Sequence, residues 1–170
     1  LSQALLLEQE YKSGLLAELR RLRNVSLPWH SGGIPTTVPR EASVCWLCDH
    51  PGATELDYQD HLRRLIATFG WAVQGVERDG IHPPWAYTVG LTPHRRPELV
   101  ITGMGLTRAT QVLNGVAAHL MHDAAPEPGT QAALLDGPLV EVVRVIAPWA
   151  HLSMAVEFYG QRIRGLQLVH

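Results

Sequence analysis

The sequence contains little lysine, little cysteine and no long apolar run, and each absence excludes a class of protein. Lys12 is the only lysine among 14 basic residues, which are balanced by 16 acidic residues and form no basic block. A general nucleic-acid binder would carry such a block. No apolar run approaches the roughly 20 residues of a membrane span. We therefore expect neither nucleic acid nor a membrane as a partner.

Common catalytic signatures are also missing. No serine lies in a GxSxG sequence, and no lysine outside the N-terminal region could form a Schiff base. The N-terminus places Glu8 and Glu10 after its first leucines and lacks the basic start and cleavage site of a secretion signal. We expect a cytoplasmic protein, and the sequence leaves open whether it is an enzyme.

Length and composition predict one globular core with an N-terminal extension. The chain has 170 residues, of which 46% are apolar and 18% charged, enough for one substantial core. Residues Ala4 to Arg23 favour a helix with Leu15, Leu19 and Leu22 on one stripe. A proline- and glycine-rich linker follows from Leu27 to Glu41. We therefore divide the chain into an arm, residues 1–41, and a domain, residues 42–170.

The pattern after the linker predicts an α+β fold. Thr54 and Asp57 form a capping box that opens an amphipathic helix ending at Gly70, and Thr107 is expected to cap a second helix. Short runs rich in β-branched and aromatic residues predict strands, and these are 71–76, 85–91, 98–102, 139–146 and 163–169. Strands in runs with few helices between them predict a mainly antiparallel sheet packed by two or three helices.

Several of these segments together resemble a known bacterial family. The residues that carry the likeness are CWLCDHPG, GWAVQGVE, PPWAYTVGL, PELVITG, LVEVVRV, HLSMAVEFYG and RIRGLQLV. They resemble domain of unknown function 4262, a family best represented in actinomycete-type genomes, over roughly residues 45–169. The resemblance implies an architecture and no mechanism.

Two cysteines two residues apart suggest a metal or redox site. Cys45 and Cys48 have the spacing of half a zinc site, and His50 and His61 are the nearest histidines that could complete it. A reversible dithiol is a second interpretation, and two small packing residues beside Trp46 are a third. A second CxxC would have made zinc a strong prediction, and the sequence has none.

The turns around the predicted strand 85–91 suggest a site for an anion. An acid/base pair with guanidinium clamps could converge at one end of the sheet. The candidates are His82, His94, Arg95, Arg96 and Glu98. The alternative interpretation is a solvated turn in which Glu98 caps an edge or pairs with an arginine.

Three further residues extend this ligand hypothesis. Tyr87 and Thr88 alternate between the two faces of their strand. Arg108 follows a glycine turn that leads from a strand into a helix, the context of some phosphate sites, although those glycines could simply permit a tight turn. A small-anion binding or regulatory module is our leading hypothesis. The alternatives are a metal-assisted or thiol-dependent enzyme and a protein-interaction or self-association module that uses the N-terminal helix.

Overall fold

The structure, a computed structural model, describes Trp46 and residues 50–133 and 139–170. The predicted N-terminal helix, the linker, Cys45 and Cys48 lie outside the described residues. The described part confirms an α+β fold.

The described residues form six strands and four helices. The strands are β1 Ala72–Val76, β2 Trp85–Val89, β3 Glu98–Thr102, β4 Gln131–Ala133, β5 Leu139–Arg144 and β6 Gly165–Val169. The helices are α1 Glu55–Phe69, α2 Leu106–His122, α3 Pro148–His151 and α4 Ser153–Tyr159. A short 3-10 turn, Thr92–His94, lies between β2 and β3.

The strands form one sheet in the order β1-β2-β3-β6-β5-β4. Neighbours are antiparallel except β3 and β6, which are parallel. As a result β2 ends where β3 and β6 begin, and we call this the Glu98 end of the sheet. At the opposite end, which we call the Thr102 end, β2 begins and β3 and β6 finish. A loop's place in the chain therefore decides which end it occupies.

One face of the sheet packs against α2. The apolar residues of this helix recur at helical spacing, and the buried ones are Ala109, Val112, Leu113, Val116, Ala117 and Leu120. They join Ala86, Leu99, Ile101 and Leu168 of the sheet in the larger core cluster. This cluster includes residues from five strands, and it supplies most of the burial that stabilises the fold.

The opposite face is covered over β2 and β3 by α1 and α4. Tyr87, Val89 and Val100 are buried there with Leu152 and Ala155. The alternation expected along β2 is confirmed, because Ala86 belongs to the α2 side and Tyr87 to this side.

Helix α1 begins and ends as the sequence predicts. The hydroxyl of Thr54 accepts a hydrogen bond from the backbone N–H of Asp57, whose carboxylate accepts one from the N–H of Thr54. Gly70 ends the helix with φ of 90°, a conformation that favours glycine. Both signals are local, which is why they could be predicted.

Two local predictions are corrected. The N-cap of α2 is Gly105 and not Thr107, which lies in the first helical turn. The segment 131–133, which lies outside the predicted strands, is the strand β4 and pairs with β5. β4 has only three residues, so its sequence is too short to show alternation, and pairing with β5 decides its conformation.

Candidate functional site

The turn between β2 and β3 is organised by the carboxylate of Glu98, which is fully buried. Its Oε1 accepts hydrogen bonds from the N–H of Gly90 at 3.2 Å and from the N–H and hydroxyl of Thr92 at 2.9 and 2.8 Å. Its Oε2 accepts one from the hydroxyl of Thr88 at 2.7 Å. Four donors and no acceptor suit an ionised carboxylate. Glu98 therefore fixes the shape of the turn.

Thr88 connects this carboxylate to the next strand. Its hydroxyl oxygen accepts a hydrogen bond from the N–H of Leu99 at 2.9 Å, so its proton is available to Glu98. Both Thr88 and Glu98 are fully buried, and their side chains position the turn without reaching its surface. The alternative interpretation was that Glu98 caps an edge or pairs with an arginine, and among the described residues no ion pair includes Glu98.

Gly90 lets the turn pack directly against the end of α1. A Cβ at this position would lie 2.8 Å from both the carbonyl oxygen of Gly70 and the Cα of Trp71, and its φ is 129°. A larger residue would push the turn away from α1 or strain its backbone. The turn is therefore held from both sides, by Glu98 and by α1.

The outer surface of this turn and the residue before β6 together carry three arginines and one histidine. We call them the arginine rim and define it as His94, Arg95, Arg96 and Arg164. Arg95 is the only described non-glycine residue with positive φ, at 60°. Its carbonyl oxygen accepts a hydrogen bond from Nη2 of Arg164 at 2.6 Å, and the N–H of Arg96 donates to Leu91 at 3.2 Å. The three arginines therefore lie on one fixed edge.

The arginine rim has no acidic partner in the described part of the chain. The ion pairs there are Arg63 with Asp60, His82 with Asp79 and His119 with Asp123, and none involves the rim. Arg95 and Arg164 are exposed and Arg96 is half-buried. Three arginines, two of them exposed and one half-buried, thus flank the turn that the buried carboxylate of Glu98 organises.

His82 and Arg108 lie away from this rim. His82 precedes β2 and Arg108 follows β3, so the strand pairing places both at the Thr102 end of the sheet. The expected convergence of His82 with His94 does not occur, because the two loops join opposite ends of β2. Spacing along the sequence could not reveal this, since both loops adjoin the same short strand.

The loop that contains His82 has its own organising carboxylate. Asp79 accepts hydrogen bonds from the N–H groups of Ile81 and His82 at 2.8 and 2.7 Å, and its Oδ2 lies 2.9 Å from Nδ1 of His82. The pKa of Asp79 is lowered to about 2, chiefly by the hydrogen bond from the N–H of His82 and next by the one from the His82 side chain. Asp79 is thus an ordinary turn residue.

Tyr87 lies on the helix-covered face and caps α4. Its hydroxyl oxygen accepts a hydrogen bond from the N–H of Met154 at 3.2 Å and lies 3.3 Å from Oγ of Ser153. Burial raises the pKa of Tyr87. On the same face, the hydroxyl of Tyr58 donates to Oε1 of Gln74, and burial raises the pKa of Tyr58 to about 12. These two hydroxyls join helices to the sheet, which is a structural role.

The predicted histidine ligands of the CxxC segment meet around one aromatic ring. His50 and His61 both stack on Trp46, at 4.1 and 4.9 Å between ring centroids. Nδ1 of His50 lies 2.8 Å from the carbonyl oxygen of Trp46, a contact that leaves Nε2 as the free nitrogen. Burial, above all, lowers the pKa of His61. No group of three or more metal-binding side chains occurs within the described ranges. Cys45 and Cys48 lie outside those ranges.

Sequence reasoning missed Arg164, Ser153 and the pairing of Tyr58 with Gln74. Arg164 comes 69 positions after Arg95 and reaches it because β6 lies beside β3. An arginine preceding a strand was the available signal, but the strand's neighbour was not readable from the sequence.

Together these features define an α+β domain with a buried carboxylate beneath an arginine-bearing turn. The chain belongs to the family described as Domain of unknown function (DUF4262), whose model matches residues 65–170. No curated protein and no solved structure matches the chain. Among the described helices, none is long and apolar enough to cross a membrane.

The family match confirms the resemblance over most of its range. It starts within α1 and includes all six strands, Glu98 and the arginine rim. Residues 45–64, which the resemblance also included, lie outside the match. The rim therefore lies within the residues that the family model matches, whereas Trp46, His50 and His61 precede them.

Proposed function

We propose that this domain is a binding or regulatory module that holds a small anionic ligand at the arginine rim. The observation that carries the proposal is the set of three arginines, Arg95, Arg96 and Arg164, which are neighbours at one edge of the sheet and have no carboxylate partner in the described structure. Guanidinium groups bind phosphate and carboxylate with two parallel hydrogen bonds. A ligand carrying either group fits this edge.

The balance of charge and the fixed geometry both favour an anion. The three guanidinium charges outnumber the one carboxylate of Glu98, whose oxygens are already occupied by four donors. A turn that is already ordered loses less conformational entropy when it binds a ligand. The positive φ of Arg95 is the kind of local strain that is often found at functional sites.

The first test is calorimetric titration of the full chain with inorganic phosphate and with citrate at low ionic strength. We expect saturable binding of at least one probe. Arg95→Gln and Arg164→Gln should each weaken it by about tenfold, which corresponds to about 1.4 kcal/mol. Higher salt should also weaken it.

The matched control is Arg78→Gln. Arg78 is an exposed arginine in the loop between β1 and β2, and its replacement removes the same charge from the opposite end of the sheet. Binding should stay within about twofold of wild type, since the effect of a distant exposed charge is screened. Absence of saturable binding, or an equal loss in Arg78→Gln, would contradict the proposal.

Zinc binding by the CxxC segment is a second candidate function. It is favoured by the positions of His50 and His61, whose rings both stack on Trp46. Trp46 is the residue that follows Cys45. The hydrogen bond of His50 to a backbone carbonyl is the usual support for a histidine that binds metal through its other nitrogen. An enzymatic role would also require an open coordination position.

Native mass spectrometry with metal analysis tests the zinc candidate. We expect about one zinc per chain, in line with a four-ligand site, and loss of most of it in Cys45→Ser and in His50→Ala. His122→Ala is the control, since His122 is an exposed histidine at the end of α2. A metal-free wild-type protein after purification with added zinc would exclude this candidate.

A further inference from the structure

Half of the sheet face opposite α2 lies open in the described structure. On β5, Val140 and Val142 pack in the α2 core, so Leu139, Glu141 and Val143 point to the other side. Leu139 and Val143 are 58% and 38% exposed. Two apolar residues of β5 thus lie exposed on the part of this face that α1 and α4 do not cover.

The open area continues onto neighbouring elements. Val169 at the end of β6 is 43% exposed, and Trp149 on α3 is 53% exposed. Helix α3 lies on this face, because a Cβ on Gly165 would lie 3.3 Å from Cβ of Pro148. We call Leu139, Val143 and Val169, which lie on the adjacent strands β5 and β6, the open patch.

One row of the sheet shows where the cover stops. The register aligns Tyr87 with Val100, Val100 with Gln167, and Gln167 with Val143. Tyr87 and Val100 are buried under α1 and α4, Gln167 is half-buried and Val143 is exposed. Along this row the cover therefore ends between β3 and β6, although the sheet continues for three more strands, β6, β5 and β4.

We propose that the N-terminal helix of the same chain, predicted from its sequence over Ala4 to Arg23, packs across the open patch. The chain reaches the described structure at Trp46, which stacks on His61 of α1. Helix α1 lies on this same face of the sheet, because its Tyr58 donates to Gln74, the strand partner of Tyr87. The arm therefore joins the domain on the side where the open patch lies.

The linker is long enough for this contact. Tyr58 contacts Gln74 of β1, and from β1 to β5 is four strand spacings, or about 19 Å. The predicted linker, Leu27 to Glu41, spans up to about 50 Å when extended. Reach does not limit the docking of the helix, and the linker's prolines favour extended conformations.

The helix and the open patch match in apolar spacing and in charge. Leu15 to Leu22 extend about 10 Å along a helix, and Leu139 to Val143 extend about 13 Å along β5. Glu141 lies between those two residues, with no hydrogen bond or ion pair to any other described side chain. The arm carries Arg20, Arg21 and Arg23 beside its leucine stripe, so an arginine can pair with Glu141.

Hydrogen exchange of the full chain, read by mass spectrometry, tests this contact. Most of the stability of a helix in a protein comes from tertiary packing, so slow exchange in residues 4–23 reports docking. We expect Val143→Glu and Leu19→Glu each to accelerate that exchange by about tenfold. Ile81→Glu is the matched control, because Ile81 is an apolar residue that is 88% exposed in the loop between β1 and β2, at the edge of the sheet away from β5. It should change the exchange by less than about twofold.

Two further readouts separate the alternatives. Leu19→Glu should also accelerate exchange in residues 139–144, which distinguishes docking on β5 from docking elsewhere and remains informative if Val143→Glu does not fold. The protection should persist on dilution in a chain that native mass spectrometry shows to be monomeric. Fast exchange of residues 4–23 in the wild type overturns the proposal, as does an unaltered β5 in Leu19→Glu. Protection that disappears on dilution also overturns it and assigns the open patch to a second copy.

Discussion

The two loops at the ends of β2 have similar compositions and different structures. The loop 77–84 and the turn 90–97 both contain histidine, proline, arginine and an acidic residue at or beside them. In the first, Asp79 is an exposed carboxylate that bonds to its own loop. In the second, Glu98 is a fully buried carboxylate that joins two strands. Composition marks both as polar turns, and burial alone separates them.

That difference shows where a rigid binding surface can form. A buried carboxylate that satisfies four donors holds the surrounding backbone in one conformation, because each donor would otherwise be unsatisfied. An exposed carboxylate competes with water and holds its loop weakly. The arginine rim belongs to the first kind of turn, while His82 belongs to the second.

The largest change in stability is expected when each of the two carboxylates, Glu98 and Asp79, is removed in a separate variant. Glu98→Ala leaves buried donors without a partner and should lower the free energy of unfolding by about 3–5 kcal/mol, as measured by urea denaturation. Glu98→Gln should lower the free energy of unfolding by less, because its amide oxygen can still accept the hydrogen bonds from Gly90 and Thr92. Asp79→Ala should have a much smaller effect than either. Equal losses at Asp79 and Glu98 would remove the distinction between the two loops.

A glycine in each loop sharpens the same comparison. Gly90→Ala places a Cβ 2.8 Å from the backbone of Gly70 and Trp71 and should destabilise the protein by about 2–4 kcal/mol. Gly80→Ala is the control, since a Cβ there meets nothing within 4 Å, and it should be neutral or slightly stabilising. Thermal unfolding measures both. A tolerated Gly90→Ala would mean that the turn is less firmly held than the contacts indicate.

A smaller effect, of opposite sign, is expected at Arg95. Its φ of 60° is unfavourable for a residue with a Cβ, so Arg95→Gly should stabilise the protein by about 0.5–1 kcal/mol while anion binding weakens. Arg78→Gly, in the loop 77–84, should not stabilise the protein. Chemical denaturation paired with phosphate titration checks this trade between stability and binding. A loss of stability in Arg95→Gly would assign the arginine a structural role instead.

The smallest effect is a pH response confined to the loop 77–84. The pKa of Asp79 is lowered from 3.8 to about 2, chiefly by the N–H of His82. The bonds of the ionised carboxylate therefore stabilise the loop above about pH 4 and are lost as the pH falls through about 2. The amide NMR signals of Ile81 and His82 should titrate with that midpoint, and Asp79→Asn should abolish the transition. A midpoint near 4 would show that the two N–H groups do not bind the carboxylate in solution.

Local signals predicted most of the elements. The capping box at Thr54, the stop at Gly70 and the strand Glu98–Thr102 are all found at their predicted positions. Each depends on interactions within a few residues, or on an apolar alternation that any sheet would bury. The three-residue β4 escaped prediction because nothing in its own sequence distinguishes it from a loop.

The candidate site was only partly predictable. Arg95 and Arg96 were recognised as a cationic turn, but Arg164 was missed because only the parallel pairing of β6 with β3 brings it there. His82 and Arg108 were grouped with them because sequence proximity does not specify an end of the sheet. The role of Glu98 was missed for a related reason: an acidic residue at the start of a strand is exposed in most proteins, and burial depends on neighbours that are distant in sequence.

By itself the sequence determined the type of fold, the helix boundaries set by Thr54 and Gly70, and the alternation that divides β2 between two faces. All three follow from local backbone preferences and the periodicity of apolar residues. Only the tertiary structure decided which turn holds the buried carboxylate, which arginines share an edge and which half of the sheet lies open in its described part. Those outcomes depend on strand order, because strand order determines which residues lose contact with water and which charges become neighbours.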